Sequence, residues 1–364
     1  MNTNSNKTVV VAMSGGVDSS VAAALLKEQG YNLIGITMKT WGYDDLPVND
    51  SGCCSLEAIY NAGNVAAKLG IPHYTFDFTE RFNQIVIENF ITEYMSGQTP
   101  NPCVLCNKTI KWGVLLDRAK ELGAGFIATG HYAKINSEDG RYYVSNSKDE
   151  RKDQTYALWR VSQEALSRTL FPLGDFKKPE IRKIAESLDL KTANEPDSQE
   201  ICFVPNNDYR QLLEARIQGI KEKLSRGEII YNNQKVGEHK GFPYYTIGQR
   251  KGLNLALGKP VYVTKIDAEG NRVYIDDEQG LYKKGFIAKE INLMKYANIK
   301  NPMKANVKIR YKDKGSVAAI EQTDNDTVKV IFDEPKKSIT PGQSAVFYDD
   351  DDVIGGGVIR EIID

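Results

Sequence analysis

No apolar run in this chain approaches the ~20 residues that a bilayer-spanning helix needs. The polar start, Met1 to Lys7, also lacks the apolar core of a secretion signal. The expectation is a cytoplasmic protein with no membrane partner. Excess charge of either sign is missing too: 47 basic and 48 acidic residues leave a net charge of −1. A nucleic-acid partner would therefore be held by local basic patches and not by the field of the whole molecule. Cysteine is scarce, and five in 364 residues do not make a disulfide framework; a reducing compartment would keep them as thiols. There is no internal repeat, and the acidic run Asp349 to Asp352 is too short for a tail.

What remains is a globular composition, 41% hydrophobic and 26% charged, in a chain too long for one ordinary core. Its first part alternates two patterns. "KTVVVAM", "NLIGITM", "IPHYTFDF" and "GFIATGHYA" read as strands, and "SSVAAALLKEQG", "SLEAIYNAGNVAAKLG" and "IKWGVLLDRAKELG" as helices. That alternation predicts a parallel sheet covered by helices on both faces. From Gly227 onward short strands and turns such as "AEGN", "DKGS" and "TDND" follow one another. The expected division is an α/β domain over 1–207, a small central β-rich domain over 208–283 and a C-terminal β-barrel over 284–364.

The junction "SGGVDSS", Ser14 to Ser20, carries the most chemistry. Two glycines let backbone N–H groups face an anion, Ser14 and Ser19 add hydroxyls, and the helix that follows points its positive end at the site. Asp18 is a candidate for holding a Mg²⁺ that neutralises phosphates. There is no G-x-x-x-x-G-K-[ST], so this is not the phosphate loop of kinases and GTPases. The plainer alternative is a tight turn needed only for packing.

Two further stretches are open. "NPCVLC" sets Cys103 and Cys106 just before a helical pattern, a spacing compatible with a redox pair, half a zinc site, an iron–sulfur corner or loop packing. "VKIRYKDK" reads as a strand with Lys308, Arg310, Lys312 and Lys314 on one face and Val307, Ile309 and Tyr311 on the other. Such a face suits nucleic-acid phosphates, or is simply solvated.

"SGGVDSS" resembles the PP-loop, SGGxDS, of the ATP pyrophosphatases, which adenylate a carbonyl or carboxylate oxygen and release pyrophosphate. "TPNPCVLCNKTIKW", "ATGHYAKI" and "DSQEICF", in this order, are similar to the tRNA-specific 2-thiouridylases. The likeness continues through "KDQTYALW", "LFPLGDFKKPEIRKIAE", "YYTIGQRKGL", "IFDEPKKSITPGQSAVFY" and "GGGVI", so it covers nearly the whole chain.

The resemblance implies a PP-loop domain that uses ATP and Mg²⁺ to replace the C2 oxygen of a wobble uridine with sulfur, in tRNAs for Lys, Glu and Gln. The sulfur would come from a persulfide donor or carrier protein. Ala12, Met13, Ser14, Gly15, Gly16, Val17, Asp18 and Ser19 would bind ATP phosphates, with Met38 and Gly130 bordering the nucleotide. Cys106 would be the nucleophile that can close a disulfide, and Cys202 the persulfide carrier. Asn101, Pro102 and Cys103 would border the target base. His131, Lys152, Asp153, Gln154, Arg310, Tyr311 and Gln343 would contact tRNA.

Two departures matter. Many relatives have aspartate where this chain has Cys103, and many read "DSTGICF" where it reads "DSQEICF". Cys103, Cys106 and Cys202 together would suit a [4Fe–4S] cluster with an open iron, or zinc. Cys53 and Cys54 have no catalytic counterpart and read as packing residues, and His73 and His239 are unassigned. The rivals are a PP-loop enzyme with a small-molecule substrate and a metal-dependent RNA-binding or redox protein.

Overall fold

The computed structural model describes residues 4–41, 56–194, 201–204 and 208–364; Cys53 and Cys54 lie outside them. The chain forms two compact units. The first comprises 1–86, 103–207 and 351–353, and the second 87–102, 208–350 and 354–364.

The first unit is built on strands β1 (Thr8–Ala12), β2 (Asn32–Lys39), β3 (His73–Asp77) and β4 (Phe126–Ala128), with a hairpin β5 (Lys134–Glu138) and β6 (Arg141–Ser145), and β7 (Thr169–Leu170). The main sheet runs β3-β2-β1-β4-β7 with every pair parallel. Val9, Val10 and Val11 of β1 are fully buried, as expected for a β-branched run in the centre of a sheet covered on both faces. Helix α1 (Val17–Glu28) lays Val21, Ala22, Ala23 and Leu26 into the core, where small side chains let it approach β1 closely. The chain moves outward from β1 in one direction through β2 and β3, then returns to its other side with β4. The crevice for a ligand in such a sheet is at the carboxyl end of the strands where the order reverses, which here is the Met13–Gly16 turn.

The cysteine pair departs from the expected arrangement. The Pro102–Cys106 helix runs directly into a π-helical stretch, Asn107–Val114, and then the α-helical Leu115–Glu121. Cys103 and Cys106 are thus inside the helix, one turn apart, and not in a loop ahead of it. Proline is pre-set for a first helical position and loses no hydrogen bond there, so the helix starts at Pro102. Wide π turns of this kind occur most at functional sites.

In the second unit, the Glu88–Met95 helix packs with the Tyr209–Arg216 helix through stacked Tyr94 and Tyr209 rings, 4.3 Å between centroids. A four-stranded sheet is ordered β10-β11-β8-β9, from β8 (Gly227–Tyr231), β9 (Gln234–His239), β10 (Tyr262–Asp267) and β11 (Arg272–Asp276). Then come β12 (Tyr282–Leu293), β13 (Met303–Lys308), β14 (Ser316–Asp324), β15 (Thr327–Lys337), β16 (Ser344–Asp349) and β17 (Asp352–Ile363). They are ordered β12-β15-β14-β13-β16-β17, and β12 pairs again with β17, which closes the barrel. Its interior holds Phe286, Val307, Ile320, Val330, Phe347 and Ile359. The α/β sheet, the β-rich centre and the barrel are all as the sequence predicts. Among the described residues, no helix is long and apolar enough to cross a membrane.

Candidate active site

The turn after β1 is folded by its own side chains. Ser19 Oγ accepts from the Ser14 amide at 3.1 Å and donates to the Gly16 carbonyl at 3.1 Å, where Ser20 Oγ also donates at 2.8 Å. Ser19 and Ser20 are buried while Ser14 is exposed at the mouth of the turn. Gly16 caps α1 with no side-chain hydrogen bond. The first amides of the helix therefore lack the side-chain acceptor usual at a helix start, and they suit an anion.

Glycine is required at two points. Gly15 has φ +76°, and a Cβ there would lie 2.2 Å from the Ala58 carbonyl oxygen. A Cβ on Gly130, just after β4, would lie 2.7 Å from the Ser19 nitrogen and 2.8 Å from the Asp18 carbonyl carbon. The loop after β4 thus rests directly on the first turn of α1, bringing Gly130 and His131 to the candidate nucleotide site.

Beneath the turn, Thr37 Oγ1 donates to the Met13 carbonyl at 2.8 Å and is 2.8 Å from His73 Nε2. With its one proton on Met13, the Thr37 hydroxyl accepts from His73 Nε2–H, and burial lowers the imidazole pKa from its ordinary value. His73 therefore has a role that its sequence context did not suggest, locking the β1 turn to β2 beside half-buried Met38.

The Asp18 carboxylate is held by the protein itself. Its two oxygens accept from Lys178 Nζ at 2.8 and 2.7 Å, and Oδ1 also accepts from Tyr132 Oη at 2.7 Å. Lys178 opens the Lys178–Ser187 helix and is only 7% exposed. It was missed by sequence reasoning because nothing local distinguishes it; its partner is 160 residues away.

His131 sits on the shelf that the loop after β4 forms against the first turn of α1. Its Nδ1 is 2.7 Å from Thr129 Oγ1 and its Nε2 3.4 Å from Lys111 Nζ. An ammonium can only donate, so Nε2 is the bare nitrogen and Nδ1 carries the proton. Burial, and then the Lys111 charge, hold the imidazole well below its ordinary 6.5. Trp112 and Phe171 flank the ring, 5.5 and 6.2 Å away between centroids, and Trp112 is pinned by its Nε1 donating to Thr169 Oγ1 at 2.7 Å.

Lys111 and Trp112 lie on the cysteine helix, so that helix reaches the His131 shelf. Next to half-buried Cys106, buried Asn107 donates from Nδ2 to the Ala157 carbonyl at 2.8 Å. Cys103 keeps an exposed face, yet the surrounding protein pushes its thiol pKa up, with Lys111 pulling the other way. Asn101 is half-buried and Pro102 buried, immediately ahead of it. Cys202 is exposed at the tip of a turn closed by the Val204 amide on the Ile201 carbonyl at 3.0 Å. Its neighbour Phe203 is buried against Phe82, 5.6 Å between ring centroids.

Cys103, Cys106 and Cys202 form no disulfide. Among the described residues, no three His, Cys, Asp or Glu side chains come together as a set that could hold a metal ion. The three thiols therefore do not fit a [4Fe–4S] cluster or zinc as they stand, and no step below is routed through a metal centre.

The other candidate RNA contacts divide by what their side chains do. Asp153 accepts from the Ser147 amide at 2.9 Å and from the Thr155 amide at 3.2 Å, and Gln154 Oε1 accepts from the Tyr132 amide at 3.0 Å. Both serve the fold, with half-buried Lys152 beside them. Gln343 is tied to Thr99 and Pro100. Arg310 and Tyr311 are exposed, but the strand reading fails there: β13 ends at Lys308, and Tyr311, 47% exposed, does not turn inward with Val307 and Ile309. Residues 309–315 form a loop instead. Asp313 takes the Ile309 amide at 3.1 Å on one oxygen, and the Gly315 amide at 3.1 Å and Lys336 Nζ at 2.8 Å on the other. Arg310, Lys312 and Lys314 are displayed on that loop.

A parallel sheet whose central strand opens into an anion cradle on a helix start is the mark of a PP-loop nucleotide-binding protein, and residues 7–206 match the tRNA methyl transferase HUP domain. Residues 217–277 match the tRNA methyl transferase PRC-barrel domain and 283–359 the aminomethyltransferase beta-barrel domain. The chain is 51% identical over 361 residues to the tRNA-specific 2-thiouridylase MnmA of Salinibacter ruber, covering 97% of this chain and 94% of that one. It is 52% identical over 357 residues to the protein of the same name from Amoebophilus asiaticus, covering 97% and 95%. For the one from Clostridioides difficile the values are 46% over 359 residues, 98% and 99%. The chain belongs to the tRNA-specific 2-thiouridylase family.

Proposed function

We propose that this protein uses MgATP to replace the C2 oxygen of the wobble uridine of tRNA with sulfur, with Cys106 and Cys202 carrying the sulfur chemistry. The observation that carries this reading is the pairing, within one unit, of an anion cradle at the end of β1 with two unbridged thiols on very different supports. Cys106 is half-buried on a helix that reaches the His131 shelf. Cys202 is exposed on a turn anchored by Phe203, open to a sulfur donor.

The uridine C2 oxygen attacks the α-phosphorus of ATP and pyrophosphate leaves, so the oxygen becomes part of an AMP leaving group. A persulfide on Cys202, loaded by a donor or carrier protein, attacks C2 through its terminal sulfur and AMP departs. The Cys106 thiolate then attacks Cys202 Sγ, which forms a Cys106–Cys202 disulfide and leaves the outer sulfur on the base. A dithiol reductant regenerates the two thiols. The amides at the start of α1 bind phosphate, Asn101 and Pro102 border the base, and His131 contacts tRNA. Cys103 borders the base. We assign this chemistry to residues 1–207 and the holding of tRNA, with Lys, Glu and Gln acceptors as substrates, to 208–283 and 284–364.

The test is nucleoside mass spectrometry of tRNA incubated anaerobically with metal-stripped protein, MgATP and a persulfide donor. The expected product is 2-thiouridine, abolished by Cys106→Ser and by Cys202→Ser, while ATP–pyrophosphate exchange persists in both. Full thiolation by either variant overturns the assigned roles. Product formed only after iron and sulfide are restored overturns the persulfide route, and a methylated uridine in its place overturns thiolation itself.

A further inference from the structure

We propose that Lys178 is the cation with which the cradle receives the triphosphate, and that Asp18 is a positioning residue that holds Lys178 there and not a magnesium ligand. The inference rests on the reading that ATP phosphates enter at the start of α1.

The motif sets two charges in conflict. A triphosphate approaching the first amides of α1 comes alongside Asp18, a carboxylate in the first turn of the same helix. Unpaired, that carboxylate would repel the ligand that the amides attract. The turn from Met13 to Ser19 contains no lysine or arginine, so the compensating charge has to come from elsewhere in the fold. Lys178 supplies it, with Nζ 2.8 and 2.7 Å from the two Asp18 oxygens.

The pair is built to stay formed. Lys178 is 7% exposed, its Nζ lies 5.9 Å from the centroid of the Tyr132 ring, and the Tyr132 hydroxyl holds the same carboxylate at 2.7 Å. Buried ion pairs are strongly coupled, because loss of one partner strands the other in a poor solvent. The Lys178 main chain is fixed as well, since its amide donates to Asp149 Oδ2 at 2.8 Å and Glu180 closes the first turn of the helix on the Lys177 amide at 2.6 Å. The side chain ends in an ammonium with three donors. Phosphate oxygens arriving beside Asp18 compete for that ammonium, and Lys178 then balances the negative charge that accumulates as pyrophosphate departs.

Binding of ATP in EDTA to the full-length protein, without tRNA or sulfur donor, separates this from a magnesium role. Lys178→Gln should weaken Mg²⁺-free ATP by about tenfold or more and flatten the salt dependence of its affinity, and Lys178→Arg should restore most of the loss. Asp18→Asn should keep Mg²⁺-free ATP affinity within about threefold while slowing ATP–pyrophosphate exchange by about tenfold or more, the split expected of a positioning residue. The double variant Asp18→Asn with Lys178→Gln leaves no stranded charge, so it reports on ATP even if Lys178→Gln alone misfolds; it too should bind about tenfold more weakly. Wild-type affinity in Lys178→Gln or in the double variant overturns the proposal. So does an Asp18→Asn variant that loses MgATP affinity and keeps that for free ATP, because Asp18 would then be a metal ligand. Failure of the wild-type protein to bind ATP at all would instead sink the nucleotide reading of the cradle.

Discussion

The side-chain amide of Gln343 donates to the Thr99 and Pro100 carbonyls, at 3.1 and 3.0 Å, and ties the barrel to the segment that leads into Asn101 and the cysteine helix. The contact is tight: the Thr99 amide donates to the Pro341 carbonyl at 2.9 Å, and Gly342, at φ +90°, would bring a Cβ to 2.8 Å from the Thr99 nitrogen. Gln343→Ala removes two hydrogen bonds and should lower stability by about 1–3 kcal/mol. Thiolation in single turnover should slow more than tRNA affinity falls. Unchanged melting temperature with weakened tRNA binding would make Gln343 an RNA contact instead.

Gly130 offers a cleaner lesion of the nucleotide site. Its missing side chain leaves room for the Ser19 nitrogen and the Asp18 carbonyl carbon, both backbone atoms that cannot rotate aside. Gly130→Ala must therefore push the β4 loop and α1 apart, and a displacement near 1 Å at a reacting site can cost about a hundredfold. ATP affinity and pyrophosphate exchange should collapse while tRNA binding persists. Titration of ATP into the variant checks this, and near wild-type affinity would mean that the loop and helix yield without cost.

The loop after β13 predicts a salt signature. If Arg310, Lys312 and Lys314 each neutralise a tRNA phosphate, removing one lowers the slope of log affinity against log salt by about 0.7–0.9. The triple alanine variant should therefore show a much flatter slope. Asp313→Ala should weaken tRNA binding as well, without removing a cation, because it releases the Ile309 and Gly315 amides and Lys336. Binding titrations at several salt concentrations read both, and slopes equal to wild type would leave the loop as a merely solvated turn.

Local features were legible in the sequence where one segment decides its own structure. The run Val9–Val11, the two glycines after it and the alanine-rich start of α1 each act on neighbours within a few residues. The barrel strands were readable as short runs between turn signals for the same reason. Beyond Lys308 alternation misled, because the carboxylate of Asp313 competes for the Ile309 and Gly315 amides and ends the strand; the "DKGS" turn signal reaches further back than four residues suggest. The helix start at Pro102 is hidden because proline marks a turn as readily as a first helical position. Lys178, Tyr132 and Lys111 lie in stretches that carry the family resemblance, but nothing local gives any of them a role. Their meaning comes from Asp18 and His131, which only the tertiary fold brings beside them.

His131 makes the fold sensitive to acid in a defined window. Its pKa in the fold is lowered well below the ordinary 6.5 by burial and by Lys111. The unfolded chain therefore takes up a proton as pH drops through 6.5, while the folded one does not until the pH is much lower. Stability from this group is fully present above pH 6.5 and declines below it, down to the depressed folded value. His131→Asn keeps a polar side chain beside Thr129 but cannot titrate, so it should lose less melting temperature than wild type between pH 7.5 and 5.5, about the range in which a histidine changes charge. Identical losses in the two proteins would mean that the imidazole is free to charge in place, and that the Thr129–His131–Lys111 arrangement does not hold it neutral.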